Sequence, residues 1–333
     1  MGDNGGSRRE ELQHRLRRQV SRVVMPNSPS ASSVPFVEYL KWFRYSRFTP
    51  DTPLSLDIQT KSGCNARCGF CGVNREKNRL PGTMSDELFT KVVDEALTWP
   101  GLRKINPYLL NDPLVDRRLE ERLEYIIAKR GSRRRPQVRI ITNAGLLRAG
   151  RVERLLRTGI DEVNISFNSI VPGVYEKAMR PLRYDRVMGN IRELIRQRDR
   201  LSLKKPKITI WTVLTKEVED NLAAEKAFWK DLNVGFKARK LDNRANSDVE
   251  AARLGGRPLE AVRFCPVPFW RAWVMWNGDM ILCCVDQERS AVLGNCSDRP
   301  IREIWNDRPY RQLRESWKTR RLAGLLCENC KGS

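Results

Sequence analysis

A chain of 333 residues with 40% hydrophobic and 31% charged residues has room for one large domain, or a large and a small one, under a heavily charged surface. The formal net charge of +22 points to an anionic partner such as a nucleic acid, a nucleotide or a carboxylated substrate, but arginine outnumbers lysine more than two to one and the charges are spread along the chain, which GC-rich codon usage also produces. No run of about 18 apolar residues is present to span a membrane and no apolar h-region marks a secretory signal, so a cytoplasmic location is expected. The single histidine, His14, excludes Ser-His-Asp chemistry, histidine-based zinc sites and a histidine general base.

In chain order, residues 1–49 read as a basic helix at about 8–24 followed by a linker ending in "MPNSPSASSVP". From 54 a strand–helix alternation begins. The segment 54–60 is a strand, followed by a cysteine-bearing loop and a helix opened by Ser85 as N-cap. Strands are expected at 103–110, 137–143, 161–167, 207–214 and 234–239, with amphipathic helices over 116–129, 151–159, 184–200 and 221–232. Six such units predict a parallel sheet, open or curled into a partial barrel, over 50–245. In such folds the chemistry sits at the carboxyl ends of the strands, which is where the cysteine loop lies. After a break the grammar changes. Residues 271–286 read as a β-hairpin turning at Asn277-Gly278, 301–322 as helical, and 260–333 as a small module of its own.

Nine cysteines in a reducing compartment are free thiols, and clustered thiols suggest metal or redox chemistry. Cys64, Cys68 and Cys71 follow the spacing C-x3-C-x2-C on one glycine-bearing loop. Three thiolates suit three irons of a [4Fe–4S] cube and leave the fourth iron open. The alternative is a zinc site with a distant fourth ligand, or chance clustering.

With Phe70 directly before the third cysteine, this motif resembles the radical S-adenosylmethionine (radical SAM) superfamily. The resemblance implies a partial (β/α)6 barrel, a [4Fe–4S] cluster whose open iron binds S-adenosyl-L-methionine, and cleavage of that cofactor to a 5′-deoxyadenosyl radical. It also implies an electron donor such as a flavodoxin or ferredoxin. Other motifs match less closely. "LLNDPLVD" stands where the family has Gly-Gly-Glu-Pro, putting Asn111 and Asp112 in the place that meets the cofactor's amino group, with the shorter Asp in place of Glu. "TNAGLL" resembles the Thr-Asn-Gly stretch and brings in Asn143, while "ISFNS" and "YEKAMRP" offer Ser166 and Arg180 to the cofactor's carboxylate.

In the C-terminal module Cys265, Gly278 and Cys283 are spaced C-x12-G-x4-C, and Cys327-x2-Cys330 follows. Four thiols saturate a cube, so a second, fully ligated cluster is expected. Cys283 and Cys284 are neighbours on one expected strand and point to opposite faces, and the spacing selects Cys283. The pattern resembles the SPASM/twitch module, with "LGN" and "IREIWND" also fitting; a structural zinc site is the alternative. Cys284 is a candidate hydrogen-atom donor, with Cys296 a weaker one, and Asp286 and Asp279 are candidate bases, although spare cysteines are usually small buried hydrophobes and such aspartates usually hold turns.

The overall expectation is an α/β enzyme, a partial (β/α)6 radical SAM barrel with a small C-terminal α+β twitch/SPASM-like module. By its resemblance it oxidises, epimerises or decarboxylates a sugar, aminocyclitol or nucleoside intermediate of antibiotic biosynthesis. The basic charge favours an anionic small molecule, and the short N-terminal segment argues against a peptide-leader recognition domain. A peptide maturase, an RNA-modifying enzyme and a non-enzymatic zinc-binding protein are the alternatives.

Overall fold

The computed structural model describes residues 43–45, 47–71, 73, 81–241 and 264–330. The basic N-terminal helix and linker lie outside these residues, as does most of the break between the two predicted modules. The chain forms two compact units, 1–48 and 49–333. In the first, the Phe48 amide donates to the Arg44 carbonyl at 3.0 Å and the Arg47 guanidinium lies 4.7 Å over the Phe43 ring.

Six strands, with helices in the five connections between them, appear in the expected order. They are β1 (Ser55–Ile58), α1 (Asp86–Leu97), β2 (Lys104–Asn106), α2 (Leu119–Arg130), β3 (Gln137–Thr142), α3 (Ala149–Arg157) and β4 (Glu162–Ser166). Then come α4 (Pro172–Ala178), α5 (Tyr184–Arg200), β5 (Lys207–Leu214), α6 (Lys216–Asp220), α7 (Leu222–Asp231) and β6 (Gly235–Lys240). Ser85 caps α1, its hydroxyl accepting from the Leu88 amide at 3.2 Å. The C-terminal part adds β7 (Arg271–Val274), β8 (Asp279–Ile281), β9 (Val292–Asn295), α8 (Ile301–Trp305) and α9 (Arg308–Thr319).

Among the described residues one nine-stranded sheet runs β6-β5-β4-β3-β2-β1-β7-β8-β9. It is parallel from β6 to β7 and antiparallel through β8 and β9, and it does not close. The two expected modules therefore share a sheet, because β7 lies alongside β1 with Leu56 opposite Ala272 and Ile58 opposite Val274. Strand period places Leu56, Ile58, Ile105, Val138, Ile140, Val163 and Ile165 on one face, and all are fully buried.

The opposite face is polar. Asp57 accepts from Asn106 and from Arg271, whose Nε lies 2.6 Å from Oδ2. Arg139 donates to Asn106 Oδ1 and to the Tyr108 hydroxyl, both at 3.1 Å. Burial, with the Asp57 charge nearby, pushes the Tyr108 phenol up to about 12.

The hairpin turns where expected, with Gly278 at φ 88°, a left-handed conformation that glycine adopts without cost. The helical stretch expected over 301–322 is instead two helices. The Asp307 carboxylate accepts from the Arg308 amide at 2.7 Å and Pro309 sits in the first turn of α9, so the chain restarts there.

Candidate active site

The cysteine loop follows β1 and is fastened on three sides. Gly63 bridges to Asn111, and its carbonyl accepts from the Asp112 amide at 3.1 Å, which ties the loop to the end of β2. From the end of β3, Asn143 Nδ2 donates to Asn65 Oδ1 at 2.8 Å and to Cys64 Sγ at 3.5 Å. Beyond β4, the Ala178 and Arg180 carbonyls accept from the Gly69 amide, at 3.3 Å, and from the Arg67 amide. Cys68 Sγ lies 3.3 Å from Met179 Sδ, to which Asn168 Nδ2 donates at 2.9 Å. Gly145 permits this closeness, because a Cβ there would stand 2.7 Å from Asn65 Nδ2 and 2.9 Å from Asn143 Oδ1.

The residues expected to meet the cofactor are brought to the same edge of the sheet. Phe70 and Asn143 are buried, Ser166 is half-buried at the end of β4, and Arg180 is exposed beside the loop. Asn111 keeps a buried Nδ2 with no partner, while its Oδ1 accepts from the Leu109 amide at 2.9 Å. Asp112 has a different part. Its carboxylate accepts from the Leu114 amide at 2.9 Å, the Asn143 amide at 2.7 Å and the Thr142 hydroxyl at 2.9 Å, so it locks β2 to β3 beneath the loop. Burial pushes this carboxyl up, and the three donors pull it back part of the way. Met179, Asn168 and Gly145 escaped sequence reasoning as supports of the loop because nothing in their local pattern announces a contact with residues about a hundred positions away.

In the C-terminal part Cys265, Cys283, Cys327 and Cys330 lie within electrostatic reach of one another, and Cys284 acts on Cys265 and Cys283 as well. Burial first, then the charges of Cys327, Cys330 and Cys284, push Cys265 up to about 12, and burial, then Cys284 ahead of Cys327 and Cys265, pushes Cys283 well above the ordinary thiol range. Cys327 is pushed up to about 11, by burial and Cys330 among other causes. β8 ends at Ile281, so Cys283 and Cys284 lie in the loop beyond it rather than on a strand. They are separated by burial instead: Cys283 packs against the apolar group of Leu109, Trp273, Met275 and Ile281, and Cys284 is exposed. Cys296 is buried, as expected of a small hydrophobe. Asp279 accepts from Asn277 at 2.6 Å and Asn295 at 3.0 Å. Asp286 accepts from the Ser290 amide and hydroxyl, both at 2.8 Å, and the Ala291 amide at 3.1 Å. Both aspartates hold turns.

The donor chemistry fits two iron–sulfur clusters. None of the nine cysteines is disulfide-bonded; three lie on one loop, and four lie within electrostatic reach of one another in the C-terminal part. Among the described residues no three His, Cys, Asp or Glu side chains form a group that could hold a metal ion. Burial, then the Asp112 charge, pushes Cys64 up to about 12, and burial with Cys71 and Cys64 pushes Cys68 well above the ordinary thiol range. A cationic centre would reverse that penalty by stabilising the thiolates. The unpartnered Asn111 amide is a donor awaiting an acceptor.

Next to Cys64 lies a cavity of about 350 Å³, walled by Gln59 and Cys64 on the barrel side and Met275, Gln287 and Arg289 on the C-terminal side. A larger hollow of about 690 Å³ opens by Lys207 and Gly235, at the opposite ends of the strands and away from the thiols.

Comparison with known proteins agrees with this arrangement. Residues 58–220 match the radical SAM superfamily, and 265–331 match an iron–sulfur cluster-binding domain, SPASM. The tungsten-containing aldehyde ferredoxin oxidoreductase cofactor-modifying protein of Pyrococcus furiosus is 26% identical over 188 residues, 56% of this chain and 51% of that one. A GTP 3′,8-cyclase of Mycolicibacterium smegmatis is 28% identical over 49% of this chain and 42% of its own. The chain thus spans about half the length of these two relatives. The S-adenosyl-L-methionine-dependent 2-deoxy-scyllo-inosamine dehydrogenase of Niallia circulans is 21% identical over 83% of this chain and 91% of that one. Among solved structures, BtrN in complex with AdoMet and 2-DOIA shares the fold with a TM-score of 0.58 at 18% identity, over 84% of this chain and 93% of that one. Streptococcus suis SuiB bound to its precursor peptide SuiA does so with a TM-score of 0.65 at 15% identity, over 92% and 78%.

Proposed function

Because the chain belongs to the radical SAM superfamily and carries a SPASM iron–sulfur domain behind its barrel, we propose that it abstracts a hydrogen atom from a small sugar, aminocyclitol or nucleoside-type intermediate of natural-product biosynthesis. The outcome is a dehydrogenation, epimerisation or decarboxylation. The observation that carries this reading is the cavity of about 350 Å³ beside Cys64, a volume at the small-molecule end of ligand sites. The near end-to-end likeness to a 2-deoxy-scyllo-inosamine dehydrogenase supports it, as does the presence of GTP 3′,8-cyclases among the relatives. A peptide substrate is the second reading, favoured by the likeness to peptide-bound SuiB.

When bound, the first cluster and S-adenosylmethionine supply a 5′-deoxyadenosyl radical able to take hydrogen from an unreactive C–H bond. Cys64, Cys68 and Cys71 hold that cluster, and Asn143 orients Cys64 through its amide. Phe70 backs the loop, while Asn111, Ser166 and Arg180 surround the cofactor's amino acid end. Cys265, Cys283, Cys327 and Cys330 hold the auxiliary cluster. In an epimerisation the exposed Cys284 would be the thiol that returns a hydrogen atom. Leu110, Val115 and Met275 make part of the cavity wall apolar and keep water from the reacting carbon. A flavodoxin or ferredoxin in the cytoplasm is the matching electron source.

The test is iron and sulfide content with 5′-deoxyadenosine formation on anaerobically reconstituted protein, beside a variant with Cys64, Cys68 and Cys71 all changed to alanine. Roughly eight irons falling to roughly four, with cleavage abolished, is expected. Aminocyclitols or hexoses should stimulate 5′-deoxyadenosine formation. Stimulation by peptides alone would replace the small-molecule reading with the second one, and iron-free, inactive protein would end both.

A further inference from the structure

The cavity beside Cys64 has an uneven polar lining. Gln59 is buried and its Nε2 donates to the Leu110 carbonyl at 3.1 Å, which fixes the amide orientation and leaves Oε1 without a partner. Gln287, also buried, has an Nε2 without a partner. Both residues line the cavity, Gln59 with an unmet buried acceptor and Gln287 with an unmet buried donor, and buried polar atoms of this kind normally have partners.

Arg289 completes the set. It is half-buried on the same cavity, and among the described residues no carboxylate lies within ion-pairing distance of its guanidinium. Burial lowers its pKa, and Asp279 acts only as a charge on it, held in place by Asn277 and Asn295. Its backbone is left-handed, φ 53°, which arginine adopts only where its surroundings impose it. The imposing element is the 286–291 turn, pinned by the buried Asp286 carboxylate to Ser290 and Ala291. Gln287 and Arg289 are the two residues of that turn that line the cavity.

We propose that this cavity is built for an acidic polyhydroxylated substrate, with Arg289 as the specificity-determining residue that takes its carboxylate or phosphate while Gln59 and Gln287 take its hydroxyls. The proposal rests on the small-molecule reading above and narrows it. A guanidinium presents parallel N–H groups that match either anion, so the chemistry is shared and the two anions are told apart only by experiment. Asp286 is a positioning residue here, acting through the turn it holds.

The experiment is equilibrium dialysis of the reconstituted full chain, with S-adenosylmethionine present, against D-glucuronate, D-glucose 6-phosphate and D-glucose. The wild type should bind one acidic probe at least about tenfold more tightly than glucose, and which one it prefers separates carboxylate from phosphate. Arg289→Gln should erase that preference, and Arg289→Lys, which keeps the charge without the fork, should retain part of it. Iron content and circular dichroism report folding, and if Arg289→Gln fails them, Arg289→Lys alone decides. Equal binding of all three sugars, failure of every probe to bind, or an unchanged preference in Arg289→Gln overturns the proposal. Because the readout is binding, those results leave hydrogen abstraction from a neutral small molecule standing. Selective acidic binding without stimulated 5′-deoxyadenosine formation would instead support Arg289 while counting against the proposed reaction.

Discussion

Asp112 sits where the family's glutamate is expected to meet the cofactor, yet its oxygens receive Leu114, Thr142 and Asn143. Asn143 in turn reaches Cys64 and Asn65. The carboxylate is therefore placed to hold the cysteine loop through a backbone amide. An asparagine there would turn an NH2 toward one of those N–H donors, and the buried clash would loosen Asn143. Asp112→Asn should make the first cluster lose iron to a chelator roughly tenfold faster while the C-terminal cluster is unaffected. Chelator-challenge kinetics followed at the iron–sulfur absorbance check this, and equal rates would show that Asn143 is held without Asp112. Gly145→Ala should act in the same direction, since its Cβ would press on Asn65 and Asn143. The grouping of three thiols on one loop was legible from spacing alone, because spacing on one loop is local information. The Asp112 role was not, because whether a carboxylate faces a ligand or a backbone amide depends on where the next strand runs.

At the scale of elements, the edge of the sheet opposite the cysteines is organised for stability. The Asp161 carboxylate, at the start of β4, receives Arg130 from the end of α2, Lys205 from before β5, and the Val138 amide of β3 at 2.8 Å. Burial alone would raise this carboxyl, but these partners outweigh it and hold it below the ordinary range. Lys205 is 57% exposed, so most of the effect lies with Arg130 and the amide. Asp161→Asn should cost about 3 kcal/mol in urea unfolding, mostly by leaving Arg130 buried and unpaired. A depressed carboxylate stabilises above its unfolded pKa, so the gap between wild type and variant should be constant from neutral pH to about 5 and narrow only below about 4. A gap that grew in acid would contradict the assignment. Strand and helix identity was most legible where periodicity is long: α5 and β5 fall on the expected residues 184–200 and 207–214. The one- and two-turn helices α4 and α6 were missed, being too short to show a period, and so was β9, a four-residue strand whose pairing with β8 is not written in its own residues.

For the whole second unit, the distinctive fact is that the C-terminal part continues the barrel sheet. That pairing was illegible, because nothing within 271–274 distinguishes a hairpin strand that ends a sheet from one that extends another. The join is reinforced away from the sheet. Both oxygens of Glu95, on α1, accept from the first amides of α8, Ile301 at 2.9 Å and Arg302 at 2.8 Å. Trp305 Nε1 donates to the Pro50 carbonyl at 2.9 Å, and Lys91 Nζ to the Ser297 carbonyl at 2.8 Å. A carboxylate at a helix start meets amide donors that the helix itself leaves unpaired. Glu95→Ala should therefore weaken docking by about 1–2 kcal/mol. The loss should register as faster hydrogen–deuterium exchange in α8 and in β7–β9, and then in β1, whose edge β7 covers. Exchange in β3–β5 should not change. If only α8 responded, the C-terminal part would be held by its sheet pairing alone. A response in β7 and β1 together would mean that the cavity wall bearing Gln287 and Arg289 is kept against Cys64 by a contact on the far side of α1, so that the same variant should also weaken whatever that cavity binds.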